Sequence, residues 1–132
     1  MTTIGSEVEV LRDVMVSMRD GVRLATDVYL PRSRPGPLPA LLTRTPYGKS
    51  DDEPRPGRVT MPGFGRYFAA CGYAVVVQDV RGRFGSEGVW SMLGHDAEDG
   101  VDTCAWIAAQ PWSDGKVGMF GTSYAGGTQH AV

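Results

Sequence analysis

A chain of 132 residues, 42% hydrophobic and 21% charged, has the make-up of one soluble globular domain or of part of a larger one. Its formal charge of −2 leaves no basic excess to draw nucleic acid or an anionic membrane, so neither is expected as a partner. The opening MTTIGSEVEVLRD has no basic stretch followed by an apolar one, and no apolar run approaches the ~20 residues that span a bilayer, so a cytoplasmic protein is expected.

From Glu9 to Leu30 the residues alternate with a period of two. Val14, Val16 and Met18 share one face, and after Asp20-Gly21 the alternation resumes through Val22, Leu24, Thr26, Val28 and Leu30. That pattern on both sides of Asp-Gly predicts an antiparallel hairpin. The Pro-rich stretch 31–39 reads as a surface connection, ALLTRTPY (40–47) as a third strand, and 48–63 as a polar loop. In FGRYFAACG (64–72), Phe64, Tyr67, Phe68 and Cys71 fall at helical spacing and Gly72 can close the helix.

YAVVVQDV (73–80) is continuous, apolar and β-branched, the mark of a strand buried on both faces. A Gly-rich loop follows, then a helix from about His95 to Gln110. Its predicted apolar stripe is Ala97, Val101, Cys104, Ala105 and Ala108, and Asp96, Glu98 and Asp99 favour its N-terminal dipole end. WSDG (112–115) reads as a turn, KVGMFG (116–121) as a strand with Met119 and Phe120 in the core, and SYAGGTQHAV as the start of a helix. Strands alternating with helices predict a mainly parallel sheet with helices on both faces and an antiparallel edge. Cys71 and Cys104 lie in segments that read as buried faces, outside any CxxC pattern, and are expected as two free core thiols.

The segment GMFGTSYAGG carries the chemistry. Ser123 sits where a strand turns sharply into a helix, flanked by Gly121, Ala125, Gly126 and Gly127, which let strand and helix approach. The helix start aims free N–H groups at the same point. Ser123 is thus a candidate nucleophile and the Tyr124 N–H a candidate oxyanion donor. The pattern is G-x-S-x-x-G, not G-x-S-x-G, so two other readings stand beside it: a helix-capping Ser, and a phosphate or dinucleotide cradle built on 121–127.

VSMRDGVRLATDVYLP, LLTRTPYGK, GYAVVVQDVRGRFGSEG and EDGVDTCAWIAAQPWSDGKVGMFGTSYAGGTQ, in that order, closely resemble the start of the catalytic domain in the cocaine esterase and glutaryl-acylase-like hydrolases, relatives of the bacterial X-Pro dipeptidyl-peptidases. The resemblance runs from about Val14 to Gln129, and the family's own elbow is G-x-S-Y-x-G. It implies the N-terminal portion of an α/β-hydrolase fold, truncated after the nucleophile elbow, with residues 1–132 an incomplete catalytic domain. It implies a serine hydrolase cleaving a small-molecule ester or amide through an acyl-enzyme, with Ser123 as nucleophile. It also implies that Tyr47, in RTPYGK, completes the oxyanion hole with its hydroxyl. Read without the resemblance, Tyr47 is a packed tyrosine at a strand end.

Asp79 and Arg81 follow a central strand, and an ion pair ordering the loop is the expectation. Trp90 and Phe84 read either as walls of an acyl pocket or as loop packing. His130 lies seven positions past Ser123, roughly 10 Å along a helix, out of hydrogen-bond reach. His95 and its nearest carboxylates share one helix start, so both histidines are expected on the surface. The α/β-hydrolase order is Ser, then Asp, then His, so both partners are expected beyond residue 132 and the 132-residue chain is expected to be inactive alone. No metal or organic cofactor is implied, because no His/Cys/carboxylate group has ligand spacing.

Overall fold

A computed structural model describes residues 7–121 and 124–131. Strands β1 (Val8–Ser17) and β2 (Arg23–Pro31) form the predicted antiparallel hairpin. Its tip is closed by Met18 N–H on Val22 O at 2.8 Å and Gly21 N–H on Met18 O at 2.9 Å. Gly21 supplies the positive φ of 86° that this turn needs. The pairing slips between Leu11 and Val14, a bulge with Asp13 at φ 53°.

Three strands run parallel beyond the hairpin: β3 (Leu38–Thr45), β4 (Ala74–Asp79) and β5 (Ser113–Met119). The sheet order is β1-β2-β4-β3-β5, with β2 joined antiparallel to β4. β4 is buried along its whole length, as its unbroken apolar run predicts. β5 begins three residues before the expected point. The predicted turn survives inside it as an irregularity between Leu38 and Ala40 of its partner, with Gly115 at φ 91°.

Helix α1 (Met61–Ala70) starts earlier than its spacing suggested, because Thr60 caps it: Gly63 N–H donates to Thr60 Oγ1 at 3.1 Å. Its buried residues are Pro62, Gly65 and Ala69, and Cys71 and Tyr67 are exposed, contrary to expectation. Gly65 carries the contact. A Cβ there would lie 2.6 Å from the Tyr29 ring, so only a bare backbone lets the helix lie on that tyrosine. Phe64 and Phe68 pack around Phe120.

Helix α2 (Asp96–Ala108) covers the other face, where Ile107 joins Val28, Leu30, Leu42 and Val76, whereas Ala69 of α1 meets Val75 and Val77. The alternate residues of β4 therefore face opposite helices. The predicted apolar stripe of α2 is overturned. Ala97, Val101, Ala105 and Ala108 are exposed and Cys104 is half-buried, whereas Asp96, Asp99, Gly100, Thr103 and Ile107 face the sheet. Both cysteines are free, as expected, but neither is fully buried. Met119 and Phe120 are half-buried, not core, because β5 is a sheet edge among the described residues. Helix α3 (Tyr124–Ala131) packs on α2 and β3. No helix among the described residues is long and apolar enough to cross a membrane.

Candidate active site

From β3 the chain moves outward to β4 by way of α1 on one face. It then returns past β3 to β5 by way of α2 on the other face. Between β3 and β5 the strand order therefore reverses, and the carboxyl ends of two such strands border the crevice that usually takes a ligand in this kind of sheet. Two loops leave from there. Tyr47 lies two residues past the end of β3, and Gly121 two residues past the end of β5. The pairing continues to the brink of the crevice, with Leu42 opposite Met119 and Phe120 N–H on Leu42 O at 3.0 Å.

Ser123 lies outside the described residues, but the frame around it is defined. A Cβ on Gly121 would stand 2.7 Å from the carbonyl carbon and Cβ of Ala125, so strand end and helix start approach as closely as glycine allows. Ala125 is buried, and Thr128 Oγ1 donates to its carbonyl at 2.7 Å. The Gln129 amide, in the orientation that satisfies both its groups, donates to Met119 O at 3.1 Å and accepts from Gly121 N–H at 2.9 Å. Sequence reasoning passed over Gln129, whose role shows only once the helix folds back along β5.

Tyr124 is the first described residue of α3. Its hydroxyl donates to Asp96 Oδ2 and accepts from Leu93 N–H, both at 2.8 Å, and burial pushes its ionisation up. The ring meets Trp90 at 6.4 Å. Its side chain thus ties the long loop after β4 to the start of α3. Trp90 packs in this tie. The space it borders with Val80, Arg81, Val89, His95 and Tyr124 is about 10 Å³, room for one water and no acyl group.

Tyr47 is half exposed and lines an open cleft of about 510 Å³ with Asp51, Arg55, Arg58, Arg83 and Phe84. Its loop is held from below. Tyr47 N–H donates to Thr45 Oγ1 at 3.0 Å, and Lys49 N–H donates to Asp79 Oδ1 at 2.8 Å. Lys49 Nζ is buried between Asp13 at 2.7 Å and Asp27 at 2.8 Å. Burial alone would lower the lysine's ionisation, but the two carboxylates together raise it. The Phe84 ring lies against Gly48, at the unusual φ of 48°. A bulky residue held there is strain, and such strain gathers at functional sites. Of the two expected pocket walls, then, Phe84 borders the cleft beside Tyr47 and Trp90 does not.

Asp79 and Arg81 do not pair with each other. Asp79 accepts from Lys49 N–H and from Gly85 N–H at 3.3 Å, and burial raises its ionisation above the ordinary carboxylate value. Arg81 grips Asp99 at 2.9 and 2.8 Å and Asp20 at 2.8 Å, and the Asp99 hydrogen bonds raise its ionisation. The loop-ordering role predicted for the two stands, with other partners.

A buried polar chain that no sequence motif announces runs beneath the crevice. Gln78 Nε2 donates to Thr26 Oγ1 at 3.1 Å, and Arg44 Nε donates to Gln78 Oε1 at 2.8 Å. Arg44 Nη1 reaches Asp96 Oδ1 at 2.8 Å, and Asp96 meets the Tyr124 hydroxyl. The three acidic residues credited to the helix dipole do lie in the first turn of α2, and two of them, Asp96 and Asp99, are also its inward anchors, whereas Glu98 is exposed. His95 precedes α2 without a side-chain cap bond and His130 is exposed, which matches the surface positions expected of them. Among the described residues no group of three or more His, Cys, Asp or Glu side chains could hold a metal ion.

The X-Pro dipeptidyl-peptidase (S15 family) model matches residues 20–132. The cocaine esterase of Rhodococcus sp. (strain MB1 Bresler) is 50% identical over 120 residues, 91% of this chain and 20% of its own. An α-amino acid ester hydrolase superposes with a TM-score of 0.77 at 37% identity, covering 92% of this chain and 22% of that one. A CocE/NonD family hydrolase from Staphylococcus aureus does so with a TM-score of 0.78 at 30% identity, covering 91% and 24%. The chain spans about a fifth of the length of these relatives. Its sheet with flanking helices has the architecture of the N-terminal part of an α/β-hydrolase. With the strand-end crevice, the Gly121–Ala125 contact and the 113 residues of the S15 match (20–132) in agreement, the chain belongs to the X-Pro dipeptidyl-peptidase (S15) family of hydrolases.

Proposed function

We propose that this chain is the N-terminal part of the catalytic domain of a serine hydrolase that cleaves a small-molecule ester or amide through an acyl-enzyme. Ser123 attacks the substrate carbonyl. The Tyr47 hydroxyl and the Tyr124 N–H stabilise the oxyanion that forms, and a His and an Asp from sequence beyond residue 132 move and orient the proton. The first intermediate collapses with loss of the alcohol or amine, which takes up the proton from the His; water then attacks the acyl-serine, the same donors hold the second oxyanion, and its collapse releases the acid and restores Ser123.

One observation carries this reading: adjacent parallel strands deliver the Tyr47 loop and the Gly121 turn to the same end of the sheet, where the strand order reverses. The buried anchors of Lys49 and Asp79 keep the Tyr47 loop in place, as a preorganised donor requires.

A fluorophosphonate probe tests it. In the protein extended to its relatives' length, the probe is expected to label one serine, and Ser123→Ala is expected to abolish the label with the fold intact by circular dichroism. Labelling that survives Ser123→Ala would place the nucleophile elsewhere.

A further inference from the structure

The peptide unit between Pro46 and Tyr47 is gripped at both ends. Its N–H, on Tyr47, donates to Thr45 Oγ1 at 3.0 Å, and its carbonyl, on Pro46, accepts from Arg83 Nε at 3.2 Å. An amide is planar, so holding its two ends holds the plane and, with it, the Cα from which the Tyr47 side chain leaves. The two grips have different origins. Thr45 is the buried last residue of β3, whereas Arg83 belongs to the loop after β4.

Arg83 is itself fixed before it reaches Pro46. Its N–H donates to Val80 O at 3.1 Å, and Val80 N–H donates to Thr45 O at 3.0 Å, so the loop is laced to the end of β3. At Gly82, with φ 75°, the approach of the Trp90 backbone leaves no room for a Cβ. The Arg83 guanidinium lies 5.5 Å from the Trp90 ring and 5.7 Å from the Phe84 ring, a stacking that suits a flat, delocalised cation. Trp90 in turn meets the Tyr124 ring at 6.4 Å. Arg83 therefore stands between the Tyr47 loop, which it reaches by a hydrogen bond, and the tie at the start of α3, which it reaches through Trp90. Arg55 and Arg58, on the same cleft, are engaged with Asp51 instead. The task at position 83 needs an Nε donor and a stacking plane on one side chain, and lysine offers neither.

We infer that Arg83 is a positioning residue for the acyl-transfer step: by holding the Pro46 carbonyl it fixes the backbone that presents the Tyr47 hydroxyl to the oxyanion. This rests on the reading of Tyr47 as an oxyanion donor. A group misplaced by about 1 Å can cost on the order of 100-fold in rate, so the loss falls on kcat.

The test is a double-mutant cycle with Tyr47→Phe, in the protein extended to its relatives' length, on the uncharged ester p-nitrophenyl acetate. Arg83→Met keeps the stem and removes both the donor and the plane. It is expected to lower kcat roughly tenfold or more, with KM changed by no more than about threefold. In Tyr47→Phe, where no hydroxyl is left to present, the same substitution is expected to lower kcat by less than about twofold. Arg83→Lys keeps the charge and is expected to repeat this pattern; it decides the matter if circular dichroism shows Arg83→Met to be misfolded. Equal losses with and without the Tyr47 hydroxyl, or a loss carried by KM, overturn the inference and leave Tyr47 its role. Wild-type kcat in Tyr47→Phe overturns both.

Discussion

Asp79 shows how one side chain serves the site at a cost to the fold. Its carboxylate receives the Lys49 and Gly85 amides and so holds the loops on either side of the crevice, yet it is buried and its ionisation is raised from the ordinary 3.8. A carboxyl whose folded pKa lies above its unfolded one binds its proton more tightly in the fold. The stability it contributes is complete below 3.8 and is lost as pH climbs through the raised value. Asp13, Glu87 and Asp102 move the opposite way, each mainly by hydrogen bonds to a basic side chain. Urea unfolding of wild type beside Asp79→Asn isolates the residue from them. The wild type is expected to lose stability relative to the variant as pH rises from about 4 to 7. The loss is about 1.4 kcal/mol for every tenfold difference in proton affinity between the folded and unfolded carboxyl. A gap that stays constant with pH would mean that burial leaves the carboxyl's ionisation where it was.

At the scale of elements, the outcome turns on which face each helix buries. The hairpin, the doubly buried β4 and the order of elements were legible because side-chain alternation and apolar runs are local signals. α2 was misread because its inward face is made of Asp96, Asp99 and Thr103, and carboxylates are assigned to solvent by any hydropathy rule. Their partners, Arg44, Gln78 and Arg81, come from β3, β4 and the loop after β4, so the pattern exists only in three dimensions. The buried face of α1 escaped for a similar reason: its contact with Tyr29 is made by Gly65, a glycine with no side chain to mark the face in the sequence. The buried chain is also the joint between α2 and α3, through Asp96 and the Tyr124 hydroxyl. Removing Arg44 leaves the buried Asp96 carboxylate without its ionic partner. Arg44→Met is therefore expected to cost about 3–5 kcal/mol in urea unfolding, and adding Asp96→Asn to recover part of that loss. A loss below about 1 kcal/mol would show that Asp96 is satisfied without the arginine.

The whole molecule is a sheet whose reversal in strand order brings two distant sequence segments to one crevice. Those segments are the residues after β5 that begin at Gly121 and the Pro46-Tyr47 dipeptide after β3, 74 positions apart (121 − 47), and only the family resemblance linked them at the level of sequence. The β3–β5 pairing supplies the physical link. The arginine-lined cleft was not legible at all, since 48–63 reads as polar loop and Arg83 as one more residue of a Gly-rich one. The proposed chemistry depends above all on the Tyr47 hydroxyl donating to the oxyanion of an acyl-transfer step at this crevice. Tyr47→Phe deletes one oxygen and keeps the ring. In the protein extended to its relatives' length, kcat on a p-nitrophenyl ester is expected to fall roughly 100- to 1000-fold, with KM changed by no more than about threefold. A variant with kcat near that of wild type would contradict the assignment.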